Sequence, residues 1–209
     1  MNFTDLKSRI TSLIDRSDYD TKAGVYINSA IHLLERRFDW LSMENRSTGT
    51  LTSTGYIAMP SKYKNSKYFI VPDSDIVVLD KRSYGFIKSN YSTTGVPECF
   101  ATLKSLSRIV IGPTPSQDYS YEFIYNKYSD DLTDASPSNF WMTDMWEVVY
   151  YGALIEYELD SGKKLMLGTE DAPLSPAILF ERAYNELRMA EIDEDFSDKP
   201  IYEVGNWVR

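Results

Sequence analysis

Residues 129–162 read SDDLTDASPSNFWMTDMWEVVYYGALIEYELDSG, a polar, proline-bearing lead-in that turns into one strongly aromatic helix. Trp146, Val149, Tyr150, Ala153, Leu154 and Tyr157 recur at three- and four-residue steps, which places them on one helical face. Glu147, Glu156, Glu158 and Asp160 fall mostly on the other. A helix with so apolar a face has to be packed. Ser136, Ser138, Asn139, Thr143 and Asp144 can all cap its start, and Gly162 stands where a C-terminal glycine ends a helix. Gly152 lies inside the pattern, where glycine costs roughly 1 kcal/mol relative to alanine. It predicts that something packs close to the backbone there.

Upstream, Thr4 can cap a short helix whose stripe is Leu6, Ile10, Leu13 and Ile14. A polar turn over residues 16–20 leads into a second helix, residues 21–38. Val25, Ile27, Ala30, Ile31, Leu34 and Phe38 are its buried positions, and Glu35, Arg36 and Arg37 mark its wet end. The two helices are expected to pack as a pair. Downstream, residues 163–171 read as a polar connection, and Ser175-Pro176 supplies an N-cap and a first-turn proline. The final helix carries Leu179, Phe180, Ala183, Tyr184, Leu187 and Ala190 and ends in the acidic run 191–195. The last stretch, FSDKPIYEVGNWVR, has no helical period but keeps Phe196, Ile201, Tyr202, Val204, Trp207 and Val208. It reads as an arm that folds against its own domain or a neighbour.

Between the helical regions the period becomes alternating. RSTGTL from Arg46 and GYIAMP from Gly55 predict two short strands around a hairpin-like turn at Ser53-Thr54-Gly55, where glycine can take a positive φ. KYFIV (67–71), DIVVLD (75–80), ECFATL (98–103), RIVIGP (108–113) and YSYEFIYNKY (119–128) follow at roughly ten-residue spacing, the pattern of a small antiparallel sheet or barrel. Residues 81–97 can be a loop or an extended arm.

The chain has 209 residues, 43% of them hydrophobic and 25% charged, an ordinary soluble composition that can bury a real core. Its 16 Tyr, 9 Phe and 4 Trp favour β-structure and contact surfaces. Net charge is −9, which argues against a nucleic-acid groove. Residues 1–45 carry 6 basic and 7 acidic groups, 46–130 carry 10 and 7, and 131–209 carry 6 and 17, giving local balances of −1, +3 and −11. The acidic third is either a solvated face or a surface that repels DNA or meets a basic partner. Cys99 is the single cysteine, so an internal disulfide and a cysteine metal cluster are excluded, and the cell interior is the expected compartment. Neither a signal peptide nor a membrane span is expected.

Enzyme chemistry finds little support. His32, the one histidine, sits beside Leu33 and Leu34 as a helix-face residue, and Cys99 is expected to pack inward. GxSxG, P-loop, HExxH and GxGxxG patterns are absent from the sequence. Asp73 with Asp75, Asp130 with Asp131, and the 191–195 run read as solvated turns and helix ends rather than a calcium loop. The expectation is therefore no enzyme, no catalytic or metal-binding residues and no cofactor.

Several matches fall in order: MENRSTGTL (43–51), GYIAMP (55–60), VIGPTPSQDYSYEFIY (110–125), LTDASPSNFWM (132–142) and YYGALIEYE (150–158). In this order the chain resembles the head-to-tail adaptor (connector) proteins of tailed bacteriophages, the tail tubular protein A-like family. The family's Asn-Trp-like pair reads here Asn139-Phe140-Trp141. The resemblance implies an α+β fold: a helical bundle from the N- and C-terminal segments with a central antiparallel β-rich domain. The corresponding division is an N-terminal helical pair (1–45), a β-rich domain (46–130), C-terminal helices packing with that pair (131–192) and a C-terminal arm (193–209).

The resemblance also implies a structural virion protein forming a ring, commonly dodecameric, in the head-tail neck, and in the host cytoplasm during assembly. Such a ring joins the portal protein to the tail nozzle or next tail protein, and DNA passes its lumen without specific binding during ejection. Partners are therefore the portal, the next tail protein and the chain itself, with no membrane. Trp141, Trp146, Phe196, Ile201, Tyr202, Trp207 and Val208 are the expected partner-binding residues. Alternatives are another phage neck or tail-completion protein or, from a different class, a cytoplasmic binding module or hydrolase.

Overall fold

The computed structural model describes residues 1–14, 19–72, 76–169 and 172–197. Among these the helices are α1 (Phe3–Ile14), α2 (Asp20–Arg37), α3 (Tyr84–Asn90), α4 (Phe140–Thr143), α5 (Trp146–Ser161) and α6 (Pro176–Ser197). The strands are β1 (Glu44–Leu51), β2 (Tyr56–Ala58), β3 (Tyr63–Pro72), β4 (Ile76–Val78), β5 (Asp80–Lys81) and β6 (Thr94–Gly95), followed by β7 (Cys99–Leu103), β8 (Arg108–Gly112), β9 (Thr114–Pro115), β10 (Tyr119–Lys127), β11 (Leu167–Thr169) and β12 (Ala172–Leu174). The fold class is α+β. Residues 1–42 with 130–209 make one compact unit, and residues 43–129 make the other.

In the helical unit, α5 is the element against which α1, α2 and α6 pack. It buries Val148 and Gly152 as well as Val149, Tyr150, Ala153, Leu154 and Tyr157, a wider surface than the single stripe its spacing predicts. Gly152 is where it meets two neighbours at once: a Cβ there would lie 2.8 Å from the Ala30 methyl on α2 and 3.2 Å from the Phe180 ring on α6. Gly162 ends the helix at φ 69°, donating its N–H to the Glu158 carbonyl at 2.9 Å. Of the proposed caps, Asn139 serves the short α4 rather than α5, accepting the Met142 N–H at 3.3 Å.

The N-terminal pair needs corrections. Asn2, not Thr4, caps α1 by accepting the Asp5 N–H at 2.8 Å. Leu13 is 41% exposed and Val25 61% exposed, although both were expected inside. On α2 the buried stripe runs through Ala23, Tyr26, Ile27, Ala30, Ile31 and Leu34, which leaves Val25 on the outer side. Glu35, expected at the wet end, is fully buried. The lead-in to α4 is tied to α2 by the Asn28 side chain, which donates to the Leu132 carbonyl at 3.1 Å and accepts the Leu132 N–H at 2.9 Å. The expected polar connection over residues 163–171 instead contributes to the antiparallel pair β11 and β12. α6 continues to Ser197, past the acidic run where the sequence predicts its end.

In the strand-rich unit, β1-β10-β3-β4 form one antiparallel sheet, and β2-β8-β7-β5 form a second. Leu51, Phe69, Val71 and Phe123 from the first and Phe100, Ile109 and Ile111 from the second close one core. The hairpin expected at Ser53-Thr54-Gly55 does not form. β1 pairs with β10 and β2 with β8, so the turn is a corner between sheets. Gly55 still takes a positive φ of 68° and donates to the Thr52 carbonyl at 3.1 Å. DIVVLD likewise splits: β4 joins the first sheet, and β5 runs parallel to β7 in the second. Residues 81–97 are neither a bare loop nor an arm, because Ser83 caps α3 by accepting the Phe86 N–H at 3.1 Å. Asp73 and Asp75 lie outside the described residues.

Candidate functional site

The Asn139-capped turn of α4 aims Trp141 inward. Its ring is 2% exposed, its indole N–H donates to Glu35 Oε1 at 3.1 Å, and it meets Trp40 edge-on at 5.6 Å between centroids. Trp40 in turn donates to the Leu34 carbonyl at 3.0 Å. Trp141, expected at a partner contact, is thus part of the helical unit's own core. The indole hydrogen-bonds one oxygen of the buried Glu35 carboxyl, a contact that helps offset the cost of burying a polar group.

Trp146, one turn further on, is half-buried. The Arg9 guanidinium from α1 lies 5.1 Å from its ring and 4.9 Å from that of Tyr150. Beside them Tyr151 donates to Glu147 at 3.3 Å. Here the helical unit offers a mixed aromatic and ionic surface. Phe196 lies on the last turn of α6, with its side chain outside the described residues, as are Ile201, Tyr202, Trp207 and Val208.

The strand-rich unit has two exposed faces that the sequence did not single out. On the outer face of the first sheet, the register sets Tyr68 opposite Ile124 and Ile70 opposite Val78. Tyr68 is 53% and Val78 55% exposed. Inward-facing Phe69 and Phe123 alternate with them, as a two-residue period requires. In the second sheet, β2, β8 and α3 enclose a groove of about 200 Å³ whose rim includes Tyr56, Tyr84, Lys88, Leu106 and Arg108. Arg108 stacks over Tyr56 at 4.2 Å, and Lys88 lies 5.9 Å from the Tyr84 ring. Tyr91 closes one end, donating to Glu98 at 2.9 Å, and that bond pushes its phenol up to about 12. The groove was illegible because the Ser-, Asn- and Gly-rich composition of residues 81–97 hid α3. The Ser83 cap ahead of Phe86 and Ile87 was the available signal.

Titratable groups are mostly held in dispersed pairs. Lys7 and Asp134 lie 2.9 Å apart, His32 and Asp131 2.9 Å, and Lys22 and Asp160 2.8 Å. The hydrogen bond from Lys7 holds the Asp134 carboxyl below its ordinary range, and that from Lys22 does the same for Asp160. Burial pushes the Cys99 thiol up. Among the described residues no cluster of three or more His, Cys, Asp and Glu side chains could hold a metal ion. What these surfaces offer is contact: aromatic rings, aliphatic tips and fixed charges on rigid elements.

Among curated proteins none matches the chain. The family model described as SU10 adaptor protein matches residues 1–200, a span that takes in the strand-rich unit, most of the helical unit and all the ordered motifs. With a match across nearly its whole length, the chain belongs to the SU10 adaptor protein family and is a structural adaptor of a bacteriophage virion.

Proposed function

We propose that this protein joins the portal to the nozzle or next tail protein as a dodecameric ring through which DNA passes. The family match over residues 1–200 carries this reading. In it, the helical unit forms the ring body. The outer sheet face of Tyr68, Ile70, Ile124 and Val78, which also carries the Arg46–Glu122 ion pair, meets the tail component, since exposed aromatic and aliphatic side chains on a rigid sheet suit a protein contact. Trp146 with its Arg9 neighbour, together with Phe196, Ile201, Tyr202, Trp207 and Val208, serves the portal and adjacent copies. The −11 balance of residues 131–209 supports an acidic lumen past which DNA slides without adhering. A ring structure that put these carboxylates on the outer rim would remove that last element.

The test is the mass of the protein in solution, alone and with the portal protein from the same virion, by native mass spectrometry. A monomer that converts to a ring on the portal is expected. A monomer indifferent to the portal would overturn the reading.

A further inference from the structure

Helix α6 has one buried row and, on its opposite side, two exposed apolar residues set among charged ones. Phe180 and Tyr184 are buried, and half-buried Leu187 continues their row. At roughly 3.6 residues per turn, Ile178, Arg182 and Met189 fall on the opposite side. There Ile178 is 57% and Met189 58% exposed. Exposed apolar tips between charged side chains are what a polar-rimmed protein contact uses. Glu186 stands beside this outer row, exposed and paired with Arg182 at 3.0 Å.

The groove of the strand-rich unit has complementary chemistry. Its described lining residues include Lys88 and Arg108 and no carboxylate, with Leu106 61% and Tyr56 40% exposed. Among the described residues no strand pairs with the outer side of β2. The stack on Tyr56 fixes the Arg108 guanidinium at the rim, so little side-chain entropy remains to be lost on contact.

Charge divides the chain in the same way. Residues 43–129 carry 10 basic and 7 acidic groups, a balance of +3, whereas 1–42 and 130–209 together carry 12 and 24, a balance of −12. Between two copies, like units repel and unlike units attract. A contact between two different faces repeats head to tail, and it closes into a ring where the rotation allows.

We propose that the outer face of α6 of one copy docks in the β2–α3 groove of the next copy. Met189 packs beside Tyr56 and Leu106, and Glu186 faces Arg108 and Lys88. This rests on the ring assembly proposed above and specifies which surfaces make it.

The test uses the full chain with the portal protein from the same virion, measuring the adaptor concentration at half assembly by sedimentation, with circular dichroism as the control for folding. Arg108→Glu and Met189→Asp are each expected to raise that concentration by ~10- to 100-fold, the scale of a central anchor or a reversed charge. Glu186→Lys added to Arg108→Glu restores it to within ~3-fold by recreating the pair with reversed signs. Leu106→Cys combined with Met189→Cys forms a covalent ladder of copies on oxidation, and neither single variant does. Native Cys99 is buried and does not compete.

If the parent chain assembles while Arg108→Glu assembles at the same concentration and no ladder forms, this contact is wrong and the ring reading stands. If Arg108→Glu leaves the ring intact but abolishes capture of the purified tail protein, the groove belongs to that partner and the inference is overturned. A parent chain that stays monomeric with and without the portal removes the ring reading itself.

Discussion

Gly152 shows how one missing side chain organises the helical unit. Alanine there would gain roughly 1 kcal/mol of helix propensity. Its methyl would also have to displace Ala30, fully buried on α2, and the Phe180 ring. Overpacking of this kind costs about 1–3 kcal/mol, and a backbone-borne methyl has no rotamer by which to yield. Gly152→Ala is therefore expected to lower stability by about 0–2 kcal/mol in urea unfolding, whereas a stabilised variant would show slack between α2 and α5.

Tyr26 gives the same unit a dependence on pH. Burial first, and then its hydrogen bond to Asp160 at 2.6 Å, push its phenol well above its ordinary 10.0. The protonated phenol is the form that the fold favours, so its contribution is full below pH 10.0 and fades as pH rises toward the raised value. Asp160 runs the opposite way. With its carboxyl held below 3.8, its contribution is present above that value and lost as pH falls through the lowered one. Tyr26→Phe should thus flatten the alkaline limb of denaturation midpoint against pH and leave the Lys22–Asp160 part of the acid limb in place.

At the scale of elements, local signals were legible wherever one face decided the outcome. The three- and four-residue recurrence around Trp146–Tyr157 and the glycine at 162 correspond to α5 and its left-handed cap. Alternation found the strands β3, β7, β8 and β10. Pairing was not legible, because a turn signal fixes a reversal of the chain and says nothing about which sheet the next strand joins. Gly55 is the clearest case. Its corner passes the chain from the first sheet to the second, and a Cβ there would sit 3.1 Å from Thr114 Oγ1 at a φ of 68°. Left-handed backbone costs a non-glycine residue about 1–2 kcal/mol. Gly55→Ala should speed hydrogen exchange at the Ile111 amide, which donates to the Gly55 carbonyl at 2.9 Å, without touching amides of α5.

Contact residues were less legible than elements for a related reason. An aromatic in sequence looks the same whether it fills a core or faces a partner. Trp141 proves to be the former and half-buried Trp146 is open to the latter. The Asn139 cap belongs to α4, where one ring turns toward Glu35, whereas the other stands in the first turn of α5 on the Arg9 side.

For the whole molecule, assembly is expected to depend on the C-terminal end of the chain. Residues 199–209 carry Ile201, Tyr202, Val204, Trp207 and Val208. Their deletion should leave a folded monomer, by circular dichroism, that no longer joins the portal or its ring neighbours. Unchanged assembly by the truncated protein would refute the role assigned to this arm.

The helical unit is also discontinuous in sequence, with the strand-rich unit between its two parts. On the ribosome, α1 and α2 emerge roughly a hundred residues before α5, an interval of about 5–20 s at usual elongation rates. Leu6, Ile10, Ile27 and Leu34 must wait through that interval without the helix that covers them, while residues 43–129 already hold every strand of their own core. Synthesis thus favours the inserted unit folding first, and it leaves the nascent N-terminal pair as the segment most in need of a chaperone.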